Sequence, residues 1–242
     1  LMGQPSSPGF ERLTGATTGI LFTNLLAEAR SVANRNLLSG AGVAAGDVDG
    51  DGWCDVYFCS LDGDNVLWRN LGNWRFENIT ARAGVACPNR DAMGAAFADL
   101  DGDGDLDVVV NTLGHGTLVF ENDAQGRFKE ITDRAGLASK SGSMSMALGD
   151  VDGNGTLELY VANYRPTTIM DQPSTRFRFQ MVNGRPQVAL VNGQPATLPE
   201  YTNRFVLSPS GKVLELGESD VLYLNDGRGR FTPLSFTGGA FL

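Results

Sequence analysis

The stretch GDVDGDGWCDVYFCS, residues 46–60, determines how this chain folds, because two variants of it follow at a nearly constant interval. The second variant, ADLDGDGDLDVVVNT, begins 52 residues later at Ala98, and the third, GDVDGNGTLELYVAN, begins another 51 residues later at Gly149. Self-similarity at a period of about 50 residues is typical of repeat architectures, in which each unit is one small group of secondary-structure elements. We therefore interpret the chain as a series of equivalent units.

Each unit holds four short strand-like runs separated by turn signals. A run of small residues precedes each acidic segment, and an apolar run follows it. The third run ends in Asn and the fourth opens on Arg-Phe: VLWRN (66–70) and RFENIT (75–80), LVFEN (118–122) and RFKEIT (127–132), VLYLN (221–225) and RFTPLS (230–235). Four antiparallel strands in about 50 residues are typical of a propeller blade. We predict an all-β fold, a β-propeller with blades at about 42–80, at 94–132, and at 145–163 joined to 220–235.

The third unit is interrupted, and the first is preceded by a fragment of the pattern. Residues 164–219 contain the turn signals VNGRP, VNGQP and SPSGK, which predict a β-hairpin insertion. Phe10–Thr14 matches the fourth strand of the repeat, so residues 1–41 are expected to form an orphan outer strand and a linker. Closed propellers have about four to eight blades. We therefore expect a partial propeller, with the remaining blades supplied by a missing segment or by another chain.

The charge of the chain is concentrated in the repeated segments. The 242 residues carry 28 acidic and 19 basic side chains, a net charge of −9, and 12 of the acids lie in the three segments. An acidic surface does not suit nucleic acid, which requires clustered Lys and Arg. No apolar run is long enough to span a bilayer, and we expect any secretion signal to have been removed from this chain.

The acidic loops have the spacing of a calcium site. Positions 1, 3, 5, 7 and 9 offer oxygen donors, with position 7 acting through its backbone carbonyl, while glycines at positions 4 and 6 let the loop turn back. With no His or Cys among the donors, Ca²⁺ is favoured over Zn²⁺ or copper, and Mg²⁺ remains an alternative. The candidate ligands of three sites are Asp47, Asp49, Asp51, Trp53 and Asp55; Asp99, Asp101, Asp103, Asp105 and Asp107; and Asp150, Asp152, Asn154, Thr156 and Glu158.

The spacing of these loops also suggests two other interpretations. An EF-hand needs a Glu at position 12, where this chain has Phe58, Val110 and Val161, so that interpretation fails. The loops could instead be plain Asp/Gly turns held by local hydrogen bonds. Two carboxylates about 4 Å apart repel by about 1–4 kcal/mol, depending on the local dielectric, so three such loops without a cation would be costly. We therefore favour the metal.

The repeated pattern resembles the FG-GAP (or VCBS) repeats of integrin α-subunit propellers and of many secreted bacterial proteins. The opening FERLTGATTGILF and the RAG and AGL joints are most similar to the cartilage acidic protein group, whose propeller precedes a C-terminal ASPIC/UnbV module that we expect to be absent from these 242 residues. The resemblance implies that the Asp, Asn and Glu side chains at positions 1, 3, 5 and 9 bind Ca²⁺. It also implies extracellular or periplasmic placement, adhesion or scaffolding, and no common enzymatic activity. Asn154 and Glu158 depart from the pattern of the third site, and Asn154 lowers its charge.

Nothing else in the sequence indicates catalysis. His115 is alone, and we interpret it as a surface-loop residue. Cys87 could pair with Cys54 or Cys59, or all three could be buried thiols. Trp53, Trp68 and Trp74 could line a carbohydrate-binding face, but aromatic residues in blades usually pack in the core, which is what we expect.

The predicted function is a calcium-binding FG-GAP-type propeller that serves as a secreted binding, adhesion or scaffolding module, with no catalytic residues. Its three Ca²⁺ sites are structural, and its partner is an unidentified protein or glycan. The alternative is part of a propeller-fold carbohydrate-active enzyme, such as a polysaccharide lyase.

Overall fold

The computed structural model describes residues 9–234, which form three four-stranded antiparallel sheets and two smaller sheets. The prediction of an all-β, propeller-like fold is confirmed. The strands are β1 Val43–Gly46, β2 Asp55–Phe58, β3 Val66–Asn70, β4 Phe76–Asn78, β5 Ala92–Ala98, β6 Asp107–Thr112, β7 Gly116–Asn122, β8 Phe128–Glu130, β9 Gly142–Gly149, β10 Glu158–Tyr164, β11 Phe177–Val182, β12 Arg185–Val191, β13 Gln194–Pro195, β14 Phe205–Leu207, β15 Val213–Glu215, β16 Val221–Asn225 and β17 Phe231–Leu234.

The three larger sheets share one strand order. They run β1-β2-β3-β4, β5-β6-β7-β8 and β9-β10-β16-β17. In each sheet the acidic loop joins the first two strands, and the residue before the loop pairs with its ninth position: Gly46 with Asp55, Ala98 with Asp107, and Gly149 with Glu158. We propose each sheet as one blade, called blades 1, 2 and 3 below.

The core of the molecule lies between neighbouring blades. Every residue of β6 is buried, and its side chains alternate between the two faces of its sheet. Val108 and Val110 belong to a cluster with Tyr57 of blade 1, while Val109 belongs to a second cluster with Leu159 of blade 3. Blade 2 is therefore covered on both faces, which explains why its central strand is a continuous apolar run.

The helical elements are short. They are α1 Gly15–Thr18, α2 Glu28–Ala33, a 3₁₀ turn at Arg35–Ser39, α3 Thr80–Ala83 and α4 Thr132–Ala135. The helices α3 and α4 directly follow the fourth strands of blades 1 and 2, and each ends at a glycine in the left-handed conformation, Gly84 or Gly136. None of the helices in the described part of the chain has the length and apolarity needed to span a bilayer.

The expected outer strand at Phe10–Thr14 is wrong. These residues form no strand, and Thr14 instead caps α1 by accepting a hydrogen bond from the backbone N–H of Thr17. A fourth strand is held by pairing with a third strand, and within residues 9–234 no third strand precedes this segment. The sequence match therefore reflects the joint that follows a fourth strand, which α1 shares with α3 and α4.

The segment between β10 and β16 is built on blade 3. It carries the sheet β11-β12-β13 and the hairpin β14-β15. Its base is tied to the N-terminal segment, since Asn34 Nδ2 donates to the Pro166 carbonyl at 2.7 Å and Asn36 Nδ2 donates to the Arg165 carbonyl at 2.6 Å. We propose it as an insertion into the third blade.

Candidate metal centre

The first aspartate of each acidic loop folds the loop around itself. Its Oδ2 accepts the backbone N–H of the glycine at position 6, at 2.8 Å in Asp47, 3.1 Å in Asp99 and 3.0 Å in Asp150. The glycines at positions 4 and 6 have φ between 71° and 93°. L-residues with side chains rarely adopt this backbone conformation, which is why the loop needs glycine there.

The acid at position 9 joins the loop to the third strand. Asp55 is fully buried and accepts two backbone N–H groups, from Val48 at 3.0 Å and from Asn70 at 2.7 Å. Asp107 does the same with Leu100 at 3.2 Å and Asn122 at 2.9 Å. Each carboxylate therefore fixes where its acidic loop sits relative to its own blade.

Burial and crowding raise the pKa of several of these carboxyl groups. Burial raises the pKa of Asp55 to about 6 and that of Asp107 to about 7, against the hydrogen bonds from the backbone, and neighbouring loop aspartates add to both shifts. Burial and the nearby Asp103 raise the pKa of Asp105 to about 6. The negative charge of the loops is thus unfavourable without a cation.

The structure brings part of each predicted ligand set together. Carboxylate oxygens within 4.8 Å of one another come from Asp47, Asp49 and Asp55; from Asp99, Asp101 and Asp103; and from Asp150, Asp152 and Glu158. Oxygens that each lie about 2.4 Å from one ion are at most about 4.8 Å apart, so these spacings suit Ca²⁺. Asp51, Asp105 and Asp107 lie outside these carboxylate groups.

The remaining predicted ligands make local contacts. Asn154 Oδ1 accepts from the Thr156 backbone N–H at 2.7 Å, and the Thr156 hydroxyl lies 3.2 Å from Glu158 Oε1. Trp53 donates its backbone N–H to Asp51 Oδ1 at 2.9 Å. Hydrogen bonds of the kind expected for plain Asp/Gly turns are therefore present, and the turn geometry and the carboxylate clusters coexist in the same loops.

Two carboxylate oxygens in the loops have no partner. Asp49 Oδ1 and Asp105 Oδ1 are shielded from solvent and accept no hydrogen bond from the part of the chain that the structure describes. A buried acceptor without a partner is unfavourable by about 1–3 kcal/mol, and by more when it is charged. A hard cation is the group that would satisfy the oxygen of Asp49, which belongs to the first carboxylate group, so the residues fit Ca²⁺.

The loops differ in one neighbour that sequence inspection overlooked. In blade 1, Arg69 forms ion pairs with Asp49 and with Asp51, the second at 2.8 Å. In blade 2 the equivalent position, just before the strand-ending Asn, holds Glu121, and in blade 3 it holds Leu224. The first loop thus carries its own counter-charge, whereas the second has an additional acid nearby. This difference is visible in the sequence, because the residue that precedes the strand-ending Asn changes in charge from one repeat to the next.

The strand-ending asparagines also have a role that the sequence did not reveal. Asn122 Nδ2 donates to the Leu106 carbonyl of its own blade at 3.0 Å and to the Val48 carbonyl of blade 1 at 2.8 Å. Asn225 Nδ2 donates in the same way to Leu157 at 3.2 Å and to Leu100 of blade 2 at 2.8 Å. Each amide therefore fastens the acidic loop of one blade to the third strand of the next.

The expectation of core tryptophans is wrong for two of the three. Trp68 is buried, but Trp53 and Trp74 are 51% and 64% exposed because they lie in turns and not on strands.

His115 lies exposed in the turn between β6 and β7. Cys54, Cys59 and Cys87 are all free thiols in the structure, the last two buried.

Comparison with known proteins agrees with this architecture. The FG-GAP-like repeat family matches residues 47–110 and 99–161. Cartilage acidic protein 1 of Mus musculus is 29% identical over 168 residues, which are 67% of this chain and 25% of that protein. The Homo sapiens protein of that name is 28% identical over 167 residues, 66% of this chain and 24% of that protein. The chain spans about a quarter of the length of the curated relatives that it matches.

The matched residues cover the elements that define the site. They include all three acidic loops, the second strands of blades 1 and 2, and the first part of β10 through Val161. Each matched repeat runs from the acidic loop of one blade to the second strand of the next blade. The chain is therefore an FG-GAP repeat protein related to the cartilage acidic protein group.

Proposed function

We propose that this chain is a calcium-binding module of a secreted, extracellular or periplasmic protein, used for adhesion, binding or scaffolding and not for catalysis. The observation that carries the proposal is a cluster of three carboxylates in the acidic loop of every blade, which always includes the acids at positions 1 and 3. Extracellular calcium is plentiful, which suits weak, structural sites of this oxygen-rich kind. The relationship to cartilage acidic protein 1 supports the same assignment.

In each loop the proposed ligands are the side chains at positions 1, 3, 5 and 9 and the backbone carbonyl at position 7. Three calcium ions would add six positive charges and change the net charge of the chain from −9 to −3. Bound calcium supplies the counter-charge that the loops need. The chain's own part is to hold the loop against the third strand through Asp55 and Asp107 in blades 1 and 2, so the metal site and the blade are one structural unit there.

The second loop is the proposed strongest site. It contains five aspartates, and no basic residue pairs with it in the described part of the chain. The first loop is proposed as the weakest, since Arg69 competes with the cation for Asp49 and Asp51. The exposed surfaces of the repeat array would serve the adhesion or scaffolding role, with a protein or a glycan as the partner.

Calorimetric calcium titration of the purified chain, with metal analysis, tests this function. We expect about three bound Ca²⁺ and weaker binding of Mg²⁺, which keeps its waters. Replacing Asp101→Asn in the second loop should remove one site, whereas Asp64→Asn, which changes an exposed acid outside the clusters, should leave all of them. Absence of calcium binding, or equal effects of the two variants, would refute the proposal.

A further inference from the structure

The fourth strand of blade 1 ends in an Asn-X-Thr sequence. Asn78-Ile79-Thr80 closes β4 and begins α3. Asn-X-Ser/Thr, with X any residue but proline, is the acceptor sequence for N-linked glycosylation, which adds a bulky oligosaccharide to a surface asparagine of a secreted protein. The chain contains this sequence once more, at Asn154-Gly155-Thr156. Three residues match often by chance, so the surroundings of each asparagine have to decide.

The hydrogen bonds of Asn78 leave its amide nitrogen free. Asn78 Oδ1 accepts from the Thr80 backbone N–H at 3.0 Å and from the Thr80 hydroxyl at 2.7 Å. Its Nδ2 donates no hydrogen bond to any group within residues 9–234, and the residue is exposed. The turn therefore holds the amide oxygen, while the atom to which a glycan would be attached has no protein partner.

The blade explains the threonine of this sequence but not the asparagine. Thr80 Oγ1 accepts a backbone N–H of β3 at 2.9 Å, and Thr132 Oγ1 accepts one of β7 at 3.1 Å in blade 2. The residue that corresponds to Asn78 in blade 2 is Glu130, which accepts from the Thr132 hydroxyl at 3.1 Å. Since a carboxylate makes the same contact as the Asn78 amide oxygen, the fold does not require an amide there.

The exposure of Asn78 does not depend on where the array of blades begins. Blade 2 has a blade on each side in the structure, and Glu130 at the equivalent position is exposed. Pro233, the equivalent residue of blade 3, is exposed as well. The phenylalanines two residues earlier, Phe128 and Phe231, pack in the cores between blades. The last residue of β4 therefore corresponds to a position at the outer rim of a blade, beyond the contact between blades.

The second acceptor sequence is held by its own loop. Asn154 Nδ2 donates to Asp152 Oδ2 at 3.1 Å, and Asn154 Oδ1 accepts from the Thr156 hydroxyl at 2.6 Å. Asn154 is also a proposed calcium ligand, and a glycan on its nitrogen would crowd a loop that has to close around an ion. The structure thus separates the two sequences and favours the first.

We propose that Asn78 is a site of N-linked glycosylation, and this proposal rests on the extracellular placement proposed above. Asn78 Nδ2 forms a bond to the anomeric carbon of an oligosaccharide that is carried on a lipid diphosphate. The bond between that carbon and the diphosphate oxygen breaks, the lipid diphosphate leaves with the electron pair, and the amide nitrogen gives up one proton. Asn78 belongs to none of the carboxylate groups, so the glycan should leave calcium binding unchanged.

Mass spectrometry of the full chain, expressed behind a cleavable secretion signal in a eukaryotic cell, tests the proposal. We expect a glycan on the peptide that contains Asn78, and enzymatic removal of the glycan should leave an aspartate at that position. Asn78→Glu introduces the residue type of blade 2 and should abolish the modification without disturbing the fold. Thr80→Ser, the matched control, keeps both the hydroxyl and the acceptor sequence and should keep the glycan.

A gain of modification in blade 2 tests the same position where a preceding blade is present. Glu130→Asn gives blade 2 the same three residues as blade 1, so the variant should carry a second glycan. Medium and cell membranes are both analysed, so that a chain retained in the cell still reports its modification. A chain that is unmodified at Asn78, that carries its glycan at Asn154 instead, or that keeps the same glycan mass after Asn78→Glu would overturn the proposal.

Calcium titration of the same preparations distinguishes this proposal from the proposed function. Calcium binding by a chain without a glycan at Asn78 would refute the glycosylation alone. A glycan at Asn78 on a chain that binds no calcium would refute the calcium-binding module alone. We expect the wild-type and Asn78→Glu chains to bind the same number of ions, because the variant changes no proposed ligand.

Discussion

The asparagine that ends the third strand of a blade holds two loops at once. Asn122 bonds the Leu106 and Val48 carbonyls, whereas Asn70 bonds only the Cys54 carbonyl. We expect Asn122→Ala to destabilise the chain by about 1–3 kcal/mol more than Asn70→Ala, because it leaves a further buried carbonyl without a donor. Urea unfolding at low protein concentration, where any self-association is absent, measures the difference. Equal losses would show that the contact between blades contributes nothing.

Arg69 sets the affinity of the first loop for a cation. One charge at about 4 Å is worth about 1–4 kcal/mol, so Arg69→Leu, which introduces the residue type of blade 3, should raise the calcium affinity of that loop about tenfold or more. Calorimetric titration resolves this as a change in the weakest site. The control is Arg82→Leu, since Arg82 is more than half exposed and pairs with Glu77 outside the loops. An unchanged weakest site would mean that Arg69 moves aside when the ion binds.

The three cysteines should differ in reactivity. Burial raises the pKa of the Cys59 thiol to about 12 and that of Cys87 to about 11, whereas Cys54 is exposed. A raised pKa means less thiolate at any given pH, and the thiolate is the reactive form. Iodoacetamide at pH 8 should therefore modify Cys54 alone in the native chain and all three residues in denaturant. Mass spectrometry of the peptides reads out the sites, and protection of Cys87 together with Cys59 after denaturation without reductant would instead reveal a disulfide.

Among the elements, the blades could be predicted because their signal is repeated and local. The second strand begins at position 9 of each acidic loop, so the period of the loops fixes the register of the sheets. The strand predicted at Phe10–Thr14 is wrong for the opposite reason, because its residues match a strand but strand formation depends on a neighbouring strand that the segment does not contain. The core positions predicted for Trp53 and Trp74 are wrong because the sequence gives the type of a residue but does not show which face of a blade remains uncovered.

The candidate site shows the same division between local and distant information. Ligand spacing within a loop is a property of a few residues, so it is visible in the sequence. The ion pair between Arg69 and Asp49 joins residues 20 positions apart in the chain, and the bond from Asn225 to Leu100 joins residues 125 positions apart. These contacts depend on blade pairing and on the order of the blades, neither of which a motif specifies.

The insertion should divide into a dispensable outer part and a structural base. The outer sheet β11-β12-β13 packs within the insertion, with the Phe177 and Phe205 rings 5.0 Å apart. Replacing residues 174–200 with a flexible Gly/Ser linker should change the melting temperature by only a few degrees. Replacing residues 165–219 should be far more damaging, because it also removes the carbonyl partners of Asn34 and Asn36 and the Glu218 carboxylate that accepts from Gly142. Circular dichroism melts compare the two, and equal losses would contradict this division.

Across the whole chain, calcium and blade stacking should be energetically coupled. The residues that fasten one blade to the next, Val48 and Leu100, each lie between two acidic positions of a loop. A loop that loses its ion keeps its carboxylate repulsion, and that repulsion acts directly on the joint between blades. Chelation should therefore weaken the array as a unit and not only the loops themselves.

A thermal melt with calcium and with EDTA measures this coupling. An ion present at about 100 times its dissociation constant stabilises the folded state by about 2.7 kcal/mol, so three sites contribute about 8 kcal/mol. For a chain of this size each kcal/mol moves the melting temperature by about 2–4 °C, which predicts a fall of about 20 °C on chelation. The matched control is the triple variant Asp49→Asn, Asp101→Asn and Asp152→Asn, which relieves repulsion and removes one ligand per site. It should melt at nearly the same temperature in both buffers, and a wild-type chain that behaves like this variant would show that the loops fold as plain turns.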